Sequence, residues 1–278
     1  MTTFQTKAQE LARVLISKVE DPEVAQRLAR QFLQEAFKIG EGQWIFWMQR
    51  PYPEDEEGHY HLEQWVHDYM QHDKPLSRSL QKRFFWKNFF VLNEATLDPR
   101  PETEGLIELI LKLGPRKRVL DLGTGSGCIL LSLLQEWPEA WGLGVDCSAL
   151  ALQAAEANGQ RLGLESRVQW QQTDWFSGVQ GRFDVIVSNP PYIPSSELER
   201  LDEVVRRWDP VQALDGGKDG LECYRLLAQV IHPFLAGYLF LEIGYDQGPA
   251  VMNIFGKYFQ NCELKQDLAG RDRYVVAF

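Results

Sequence analysis

The sequence has few cysteines, and they are poorly placed for covalent or metal cross-links. Its 278 residues include four cysteines, Cys128, Cys147, Cys223 and Cys262, with no Cys-x-x-Cys pair. That spacing matches neither a zinc ribbon nor a dense disulfide framework. We therefore expect reduced, buried thiols and a fold that no disulfide stabilises.

Long hydrophobic runs are also missing. No segment approaches the roughly 18 consecutive apolar residues that a membrane-spanning helix needs. The segment from Met1 to Glu20 has the spacing of a polar amphipathic helix, without the apolar core of a signal peptide. We therefore expect a protein that has no membrane partner and stays in the cytoplasm.

Basic residues are scarce relative to acidic ones. The sequence has 29 Lys and Arg against 39 Asp and Glu, which gives a formal net charge of −10. This balance argues against a wide basic face for duplex nucleic acid, so we expect no stable nucleic-acid binding. Hydrophobic residues make up 44% of the chain, which is enough for a sizeable packed core. At about 150 residues per domain, the length predicts two domains.

The chain divides into a helical part and an α/β part. Apolar residues recur at helical spacing over residues 1–83, where Asp21-Pro22 supplies the cap and first-turn proline of a second helix. Residues 84–100 mix aromatic and β-branched residues with asparagines, which suits a β-hairpin connector. We therefore predict a small helical domain over 1–83 and a larger domain over 84–278.

From Pro101 onward, short apolar strands alternate with helices. We predict strands over residues 118–121, 141–146, 168–171, 183–188 and 237–243, and helices over 129–135, 149–162 and 222–232. This order indicates an α/β fold with a doubly wound, mostly parallel sheet. Segments 262–266 and 273–278 are joined by a turn too short for a crossover helix, so we expect them to pair antiparallel at one edge.

The first chemical motif is a glycine-rich turn between the first predicted strand and its helix. It reads Asp121-Leu122-Gly123-Thr124-Gly125-Ser126-Gly127. Glycines let the backbone approach a ligand, and the helix terminus offers free amide groups. A nicotinamide-binding fingerprint needs Gly or Ala where this chain has Cys128, and it does not normally carry an acid at position 121. An acid there suits a cationic ligand such as S-adenosylmethionine, whose ammonium Asp121 can attract.

Further acids follow the neighbouring strands. Asp146 ends the next strand, where a carboxylate can accept hydrogen bonds from both ribose hydroxyls; an Asp there is as often a helix cap, here facing Ser148. Trp175 can stack on adenine and Asp174 can bind its exocyclic amine, although a Trp in this place is equally often a core residue. The expected cofactor-binding residues are Asp121, Gly123, Thr124, Gly125, Ser126, Gly127, Asp146, Asp174, Trp175 and Asn189.

The sequence Asn189-Pro190-Pro191-Tyr192 directly follows the apolar strand 183–188. The lone pair of a planar amide nitrogen is delocalised, so a site that methylates it must hold the NH2 group in line with the methyl donor. The Asn189 side-chain oxygen and the Pro190 carbonyl can each accept one N–H, and Tyr192 can pack on the planar group. Two prolines stiffen the loop. We expect Asn189, Pro190 and Tyr192 to be catalytic, and these three with Pro191 to bind the substrate.

This chemistry requires no metal, because the sulfonium of S-adenosylmethionine is already a good leaving group. His59, His61, His67 and His72 lie within 14 residues, but no carboxylate or cysteine completes a recognisable metal spacing. We therefore expect solvated histidines and no metal site.

Three further segments narrow the class of amino-group methyltransferase. They are Asp98-Pro99-Arg100-Pro101-Glu102-Thr103-Glu104, Asp209-Pro210-Val211-Gln212-Ala213-Leu214-Asp215-Gly216-Gly217-Lys218-Asp219-Gly220 and Asp267-Leu268-Ala269-Gly270-Arg271-Asp272-Arg273. Together with the glycine-rich turn and the Asn-Pro-Pro-Tyr loop, they resemble the bacterial peptide chain release factor glutamine N5-methyltransferases. The resemblance runs from about Pro75 to Phe278.

The resemblance implies the class I S-adenosylmethionine-dependent methyltransferase fold with a seven-stranded sheet. It also implies methylation of the glutamine amide in the Gly-Gly-Gln tip of class-one release factors. By motif, the cofactor would be bound by the glycine-rich turn, Asp146, Trp175 and Asn189, and the target glutamine by the Asn-Pro-Pro-Tyr loop. Residues 1–83 would dock the release factor, and Arg100 to Glu104 would lie near the cofactor pocket. We expect a monomer.

The sequence departs from the family pattern at Trp44 to Glu57, which is rich in aromatics and acids, and at Asp98. Three alternatives stay open: methylation of a ribosomal-protein glutamine, methylation of an adenine or guanine amino group, and a non-catalytic module that binds S-adenosylmethionine. The net charge counts against nucleic acid, and the intact Asn189 and Tyr192 count against a non-catalytic module. Acidic residues outnumber basic ones eight to four over Glu197 to Glu222, which suits an acidic docking rim.

Overall fold

The computed structural model describes residues 2–54 and 56–278, which form two compact units. The first unit is Met1–Ser79 and the second is Leu80–Phe278. Met1 and Asp55, which fall in the predicted helical domain, lie outside the described residues. Among the helices of the described ranges, none is both long enough and apolar enough to cross a membrane.

The first unit is helical. Its helices are α1 (Phe4–Val19), α2 (Pro22–Ala36), α3 (Trp44–Trp47), α4 (Glu57–His72) and α5 (Leu76–Leu80), the last of which reaches the unit boundary. Asp21 caps α2 by accepting hydrogen bonds from the amides of Glu23 and Val24, so the predicted cap is confirmed. The largest fully buried side chains of this unit are Phe4, Leu15, Phe32 and Leu33.

A β-hairpin opens the second unit. Strands β1 (Lys82–Phe85) and β2 (Asn88–Val91) pair antiparallel. The hairpin therefore occupies residues 82–91, whereas 84–100 is the predicted range. The difference arises because the turn lies at Trp86, whose φ is 56°, and not at an asparagine, and because the chain leaves the hairpin after β2.

The second unit is built on a seven-stranded sheet. Its strands are β3 (Arg118–Leu122), β4 (Trp141–Asp146), β5 (Val168–Gln172), β6 (Phe183–Ser188), β7 (Leu235–Glu242), β8 (Cys262–Gln266) and β9 (Asp272–Ala277). The strand order is β5-β4-β3-β6-β7-β9-β8, with β3 to β7 parallel and β9 antiparallel to both β7 and β8. The predicted doubly wound, mostly parallel sheet with an antiparallel pair at one edge is confirmed.

Helices cover the sheet. They are α6 (Pro101–Leu111), α7 (Cys128–Glu136), α8 (Ala149–Arg161), α9 (Glu203–Trp208), α10 (Glu222–Val230) and α11 (Gly248–Phe255), with short 3-10 helices at Ser195–Arg200 and Val211–Ala213. The sequence predicts α7, α8 and α10 but not α6, α9 or α11. Helix α10 ends before the predicted residue 232, because Pro233 disfavours helical geometry in the residue that precedes it.

Alternating residues of the central strands supply two separate cores. Val185 and Val187 belong to a buried cluster that includes Leu106, whereas Ile186 belongs to the cluster on the opposite face, which includes Leu227. Both faces of the sheet are therefore covered, as parallel sheets require. Because the parallel strands end at one edge, the polar residues at their carboxyl ends come together there.

Candidate active site

A cavity of about 510 Å³ lies at the carboxyl ends of β3, β4 and β6. This is the edge at which doubly wound sheets bind their ligands. The predicted site residues that line the cavity are Gly123, Thr124, Gly125, Ser126, Asp146, Asp174, Trp175, Asn189 and Pro191. The other four predicted residues, which are not among its described lining residues, are Asp121, Gly127, Pro190 and Tyr192.

The glycine-rich turn adopts a backbone that suits glycine. Gly123, Gly125 and Gly127 have φ angles of 71°, 55° and 77°. The Gly125 amide donates to Asp146 Oδ2 (2.9 Å), which ties the turn to β4. A Cβ at Gly127 would lie 2.9 Å from the Trp170 ring, so this glycine allows close packing, whereas Cβ atoms at Gly123 and Gly125 would meet nothing within 4 Å. The turn therefore presents bare backbone to the cavity.

Asp121 in β3 is fully buried. Its Oδ2 accepts a hydrogen bond from the Thr124 hydroxyl (2.7 Å), and its Oδ1 has no hydrogen-bond partner among the described residues. Burial raises the pKa of Asp121 to about 7, a rise that the Thr124 hydrogen bond reduces. Because Thr124 lines the cavity and Asp121 does not, the acid can act on a ligand through its charge and through Thr124.

Backbone amides engage Asp146 on both of its oxygens. Oδ2 accepts from Gly125 and Oδ1 accepts from the Ser148 amide, each at 2.9 Å. The cap of α8 is Ser148, whose hydroxyl accepts from the Ala151 amide (3.2 Å). Asp146 is therefore fixed on the cavity wall and is not the helix cap, and its oxygens keep further acceptor capacity toward the cavity.

Asp174 and Trp175 line the cavity from the loop after β5. The Asp174 side chain is exposed. Trp175 is half-buried, has a left-handed φ of 49° and packs against the core cluster that includes Leu227. The indole is thus both a core residue and part of the cavity wall, so the two interpretations of this tryptophan do not compete.

The Asn-Pro-Pro-Tyr loop is held by two later segments. Ile193 pairs with Asp215 in an isolated parallel bridge, and the Gln247 side-chain amide donates to the Tyr192 carbonyl (2.8 Å). A Cβ at Gly216 would lie only 2.8 Å from the Tyr192 Cα, so the two backbones are in close contact. Burial raises the pKa of the Tyr192 phenol to about 12, which keeps it neutral. These contacts explain why Asp215 and Gly216 occur in a motif far along the chain.

The sequence does not reveal the roles of several side chains at the site. Thr103 and Glu242 are buried, and Thr103 Oγ1 lies 3.3 Å from Asn189 Nδ2. Arg100 lines the cavity and donates from Nη2 to Asp209 Oδ2 (2.6 Å). Glu242 ends β7 at the edge where the other parallel strands end. An acidic residue at the carboxyl end of a parallel strand is a candidate site residue, so the sequence position alone could have indicated Glu242 as a candidate.

Charged side chains on the cavity wall are mainly acidic. The described lining includes the carboxylates of Asp146, Asp174 and Asp215 and one cation, Arg100. The Arg100 charge is already paired with Asp209. The wall therefore favours a ligand with net positive charge and disfavours a pyrophosphate.

The cysteines are more varied than predicted. All four thiols are free, and Cys128 is buried, but Cys147 is exposed and Cys223 and Cys262 are half-buried. The expectation of uniformly buried thiols is wrong, because Cys147 follows β4 in the loop that forms the cavity wall.

The prediction of solvated histidines in α4 is confirmed for the exposed His67 and His72 but not for His59. The His59 side chain is half-buried, and its Nδ1 lies 2.8 Å from the Tyr52 hydroxyl oxygen, so it is not a fully solvated histidine. Donor atoms of His67, Asp68 and His72 lie within 4.8 Å of one another, so the helix does bring a carboxylate to two imidazoles. The Asp68 carboxylate already forms an ion pair with Lys74, whose Nζ lies 3.5 Å from Asp68 Oδ2.

Comparison with known proteins places the chain in a family. It is 47% identical over 210 residues to the release factor glutamine methyltransferase of Rhodospirillum rubrum, a match that covers 73% of this chain and 64% of that protein. It is 45% identical over 207 residues to the release factor glutamine methyltransferase of Cereibacter sphaeroides, with 73% and 74% covered. The chain belongs to the release factor glutamine methyltransferase family. It spans slightly less than two thirds of the R. rubrum protein and about three quarters of the C. sphaeroides one.

The family resemblance predicted from the motifs is thus confirmed, and solved structures show the fold. The Methyltransferase small domain family matches residues 91–206. A 16S rRNA methyltransferase of T. thermophilus, solved with AdoMet and guanosine, superimposes with a TM-score of 0.51 at 18% identity, covering 70% of this chain and 49% of that one. The hMettl16 catalytic domain, solved with an RNA hairpin, gives 0.51 at 10% identity, covering 79% and 81%. The predicted class I methyltransferase fold is confirmed.

Proposed function

We propose that this protein transfers the methyl group of S-adenosylmethionine to the side-chain amide nitrogen (N5) of the glutamine in the Gly-Gly-Gln motif of class-one peptide chain release factors, and so modulates translation termination. The observation that carries the proposal is the Asn189 amide on the wall of a cavity whose charged lining favours a cation. The relatives, which are named for action on a release factor glutamine, support this choice of substrate.

The cavity residues fit S-adenosylmethionine. Asp146 is fixed with spare acceptor capacity for ribose hydroxyls, and the bare backbone of the glycine-rich turn permits close approach. Trp175 offers a ring face for adenine, Asp174 offers an acceptor for its amine, and the buried Asp121 carboxyl acts through its charge and through Thr124, which lines the cavity. When bound, the cofactor supplies a methyl group activated by its sulfonium. We propose that no metal takes part.

The Asn-Pro-Pro-Tyr loop positions the substrate amide. Asn189 Oδ1 and the Pro190 carbonyl accept its two N–H groups, which holds the nitrogen toward the methyl donor. Tyr192 packs on the planar amide group, and its neutral phenol suits that contact. Because Gly216 and Gln247 hold the loop, both acceptors stay aimed, and the rate enhancement comes mainly from orientation.

The two parts of the chain have separate roles in this proposal. Residues 84–278 form the catalytic domain, and residues 1–83 dock the release factor. Ile45 and Phe46 of α3 are 69% and 72% exposed, which provides apolar surface for a protein partner. The protein works as a monomer in the cytoplasm, where release factors act.

A methyl-transfer assay tests the proposal. The protein is incubated with labelled S-adenosylmethionine and one of four acceptors: a purified release factor, the same factor with its Gly-Gly-Gln glutamine replaced by alanine, a mixture of ribosomal proteins, or duplex DNA. We expect label in the unaltered release factor alone. Label that persists after the glutamine is replaced, or that appears only in ribosomal proteins or DNA, would contradict the proposal.

A further inference from the structure

The Asn189 amide must present its oxygen, and not its NH2 group, to accept an N–H from a substrate. The two ends of an amide have almost the same shape, so packing alone does not choose between them. The choice depends on the hydrogen-bond partners behind the amide.

Two buried side chains interact with the Asn189 amide, and one of them, Thr103, lines the same cavity as Asn189. Asn189 Nδ2 donates to Thr103 Oγ1 (3.3 Å), and the Thr103 hydroxyl donates to Glu242 Oε2 (2.8 Å). The Asn189 side chain also lowers the pKa of Glu242, as a hydrogen-bond donor beside a carboxylate does. Thr103 and Glu242 are 3% and 2% exposed, so water does not compete for these groups.

The carboxylate sets the direction of these hydrogen bonds. Burial raises the pKa of Glu242 to about 7, so the ionised form prevails above that pH; it only accepts, and the Thr103 hydroxyl then donates its single proton to Glu242. The hydroxyl oxygen is then left as an acceptor and requires a donor from Asn189. The NH2 group therefore faces Thr103, which leaves Oδ1 as the end of the amide that can accept from a substrate in the cavity that Asn189 lines.

Both anchors are fixed by regular structure. Glu242 ends β7, where its backbone carbonyl accepts a hydrogen bond from the Tyr224 hydroxyl (2.9 Å) and its backbone pairs with Tyr274 of β9. Thr103 lies in the first turn of α6. The orientation of Asn189 is therefore defined by a helix and a strand outside the Asn-Pro-Pro-Tyr loop.

We propose that Thr103 and Glu242 are positioning residues that lock the Asn189 amide with its oxygen toward the substrate. The identity of the substrate in this proposal rests on the proposed function. Without the two positioning residues, the Asn189 amide samples both orientations. In the flipped orientation it offers an N–H donor to a substrate group that also needs to donate. The reaction then loses one of the two acceptors that hold the substrate nitrogen.

Three variants test the lock. Thr103→Val removes the hydroxyl at nearly constant shape, Thr103→Ser keeps the hydroxyl, and Glu242→Gln keeps the shape but loses the group that only accepts. We expect the valine and glutamine variants to lower kcat on a release factor about tenfold, and the serine variant to stay within about twofold of the unaltered protein. The cofactor Kd should change by less than about threefold in all three, and thermal midpoints report folding.

A measurement that needs no substrate separates the lock from the proposed function. In nitrogen-labelled protein, nuclear magnetic resonance should show the two Asn189 Nδ2 protons shifted and protected from exchange, with protection lost in Thr103→Val and kept in Thr103→Ser. That result, with no methyl transfer by the unaltered protein, would overturn the proposed function and leave the lock standing. Equal protection in the valine and serine variants, or equal turnover by these two variants when the unaltered protein is active, would overturn the lock.

Discussion

At the scale of single residues, two buried carboxyl groups dominate the site. Burial raises the pKa of Asp121 and of Glu242 to about 7, and hydrogen bonds from Thr124 and Thr103 offset part of each rise. The sequence indicates Asp121 by its place before the glycines. It does not indicate Glu242, because a glutamate that ends a strand has the same local pattern whether the fold buries it or exposes it.

We expect Asp121→Asn to change how stability depends on pH. The folded pKa of Asp121 lies above its ordinary value, so between about pH 4 and about pH 7 the native state holds a proton that the unfolded state has lost. The contribution of Asp121 to the free energy of unfolding is therefore full below that window and is lost as pH rises through it. Relative to the unaltered protein, the variant should gain stability between about pH 5 and about pH 8.

Thermal denaturation at the two pH values checks this prediction. Glu165→Gln is the matched control, because Glu165 is exposed and its removal should leave the pH dependence unchanged. Parallel stability curves for Asp121→Asn and the unaltered protein would show that this carboxyl does not titrate with a raised pKa.

At the scale of secondary-structure elements, strands are predicted better than helices. The predicted bounds 141–146 and 183–188 are those of β4 and β6, because a buried parallel strand is a short apolar run between polar ends. Helix α11 begins with Gly-Pro, a local pattern typical of turns, so its short apolar run gives no helical signal. Contacts such as that of Arg100 with Asp209, 109 positions apart, have no local pattern at all.

The contact between the Asn-Pro-Pro-Tyr loop and Gly216 gives a prediction for these elements. A Cβ at Gly216 would lie 2.8 Å from the Tyr192 Cα and 2.9 Å from the Pro191 carbonyl oxygen, both of which are backbone atoms. We expect Gly216→Ala to displace the loop and to lower turnover on a release factor roughly 10- to 100-fold, with a smaller effect on cofactor affinity.

Steady-state kinetics and cofactor titration measure the two effects. Gly159→Ala is the matched control, since a Cβ there would meet its nearest atom, in the Trp170 side chain, at an ordinary contact distance of 3.5 Å, and it should not alter turnover. If Gly216→Ala turns over at the unaltered rate, the loop does not depend on this contact.

At the scale of the whole molecule, the acidic residues that give the net charge of −10 include eight between Glu197 and Glu222, in the segment that follows the Asn-Pro-Pro-Tyr loop. Asp209 and Asp219 are paired with arginines. The exposed acids that remain in this segment are Glu197, Glu199, Asp202, Glu203 and Glu222, which we call the acidic rim; the exposed Arg200, Arg206 and Arg207 lie among them and reduce its net charge. A factor that binds ribosomal RNA carries basic surface, which such a rim attracts.

We expect kcat/KM on a release factor to fall as the salt concentration rises. The distance over which exposed charges attract one another shortens with salt and is about 8 Å at about 0.15 M ionic strength. Replacing Glu197 and Glu199 together by Gln should lower kcat/KM at low salt and flatten its salt dependence. The same change at Glu139 and Glu165, which are exposed in other segments, should do neither. Measuring kcat/KM for these proteins over a series of salt concentrations checks both expectations. A kcat/KM of the unaltered protein that does not change with salt would mean that charge does not guide association.

Peptide mass spectrometry of a reacted release factor shows directly whether this protein methylates one glutamine amide. The unaltered protein should add one methyl group to the side chain of the glutamine in the Gly-Gly-Gln peptide, and the Asn189→Ala variant should leave that peptide unmodified. A methyl group on a different residue, or modification of the same glutamine by Asn189→Ala at the unaltered rate, would contradict the proposed function.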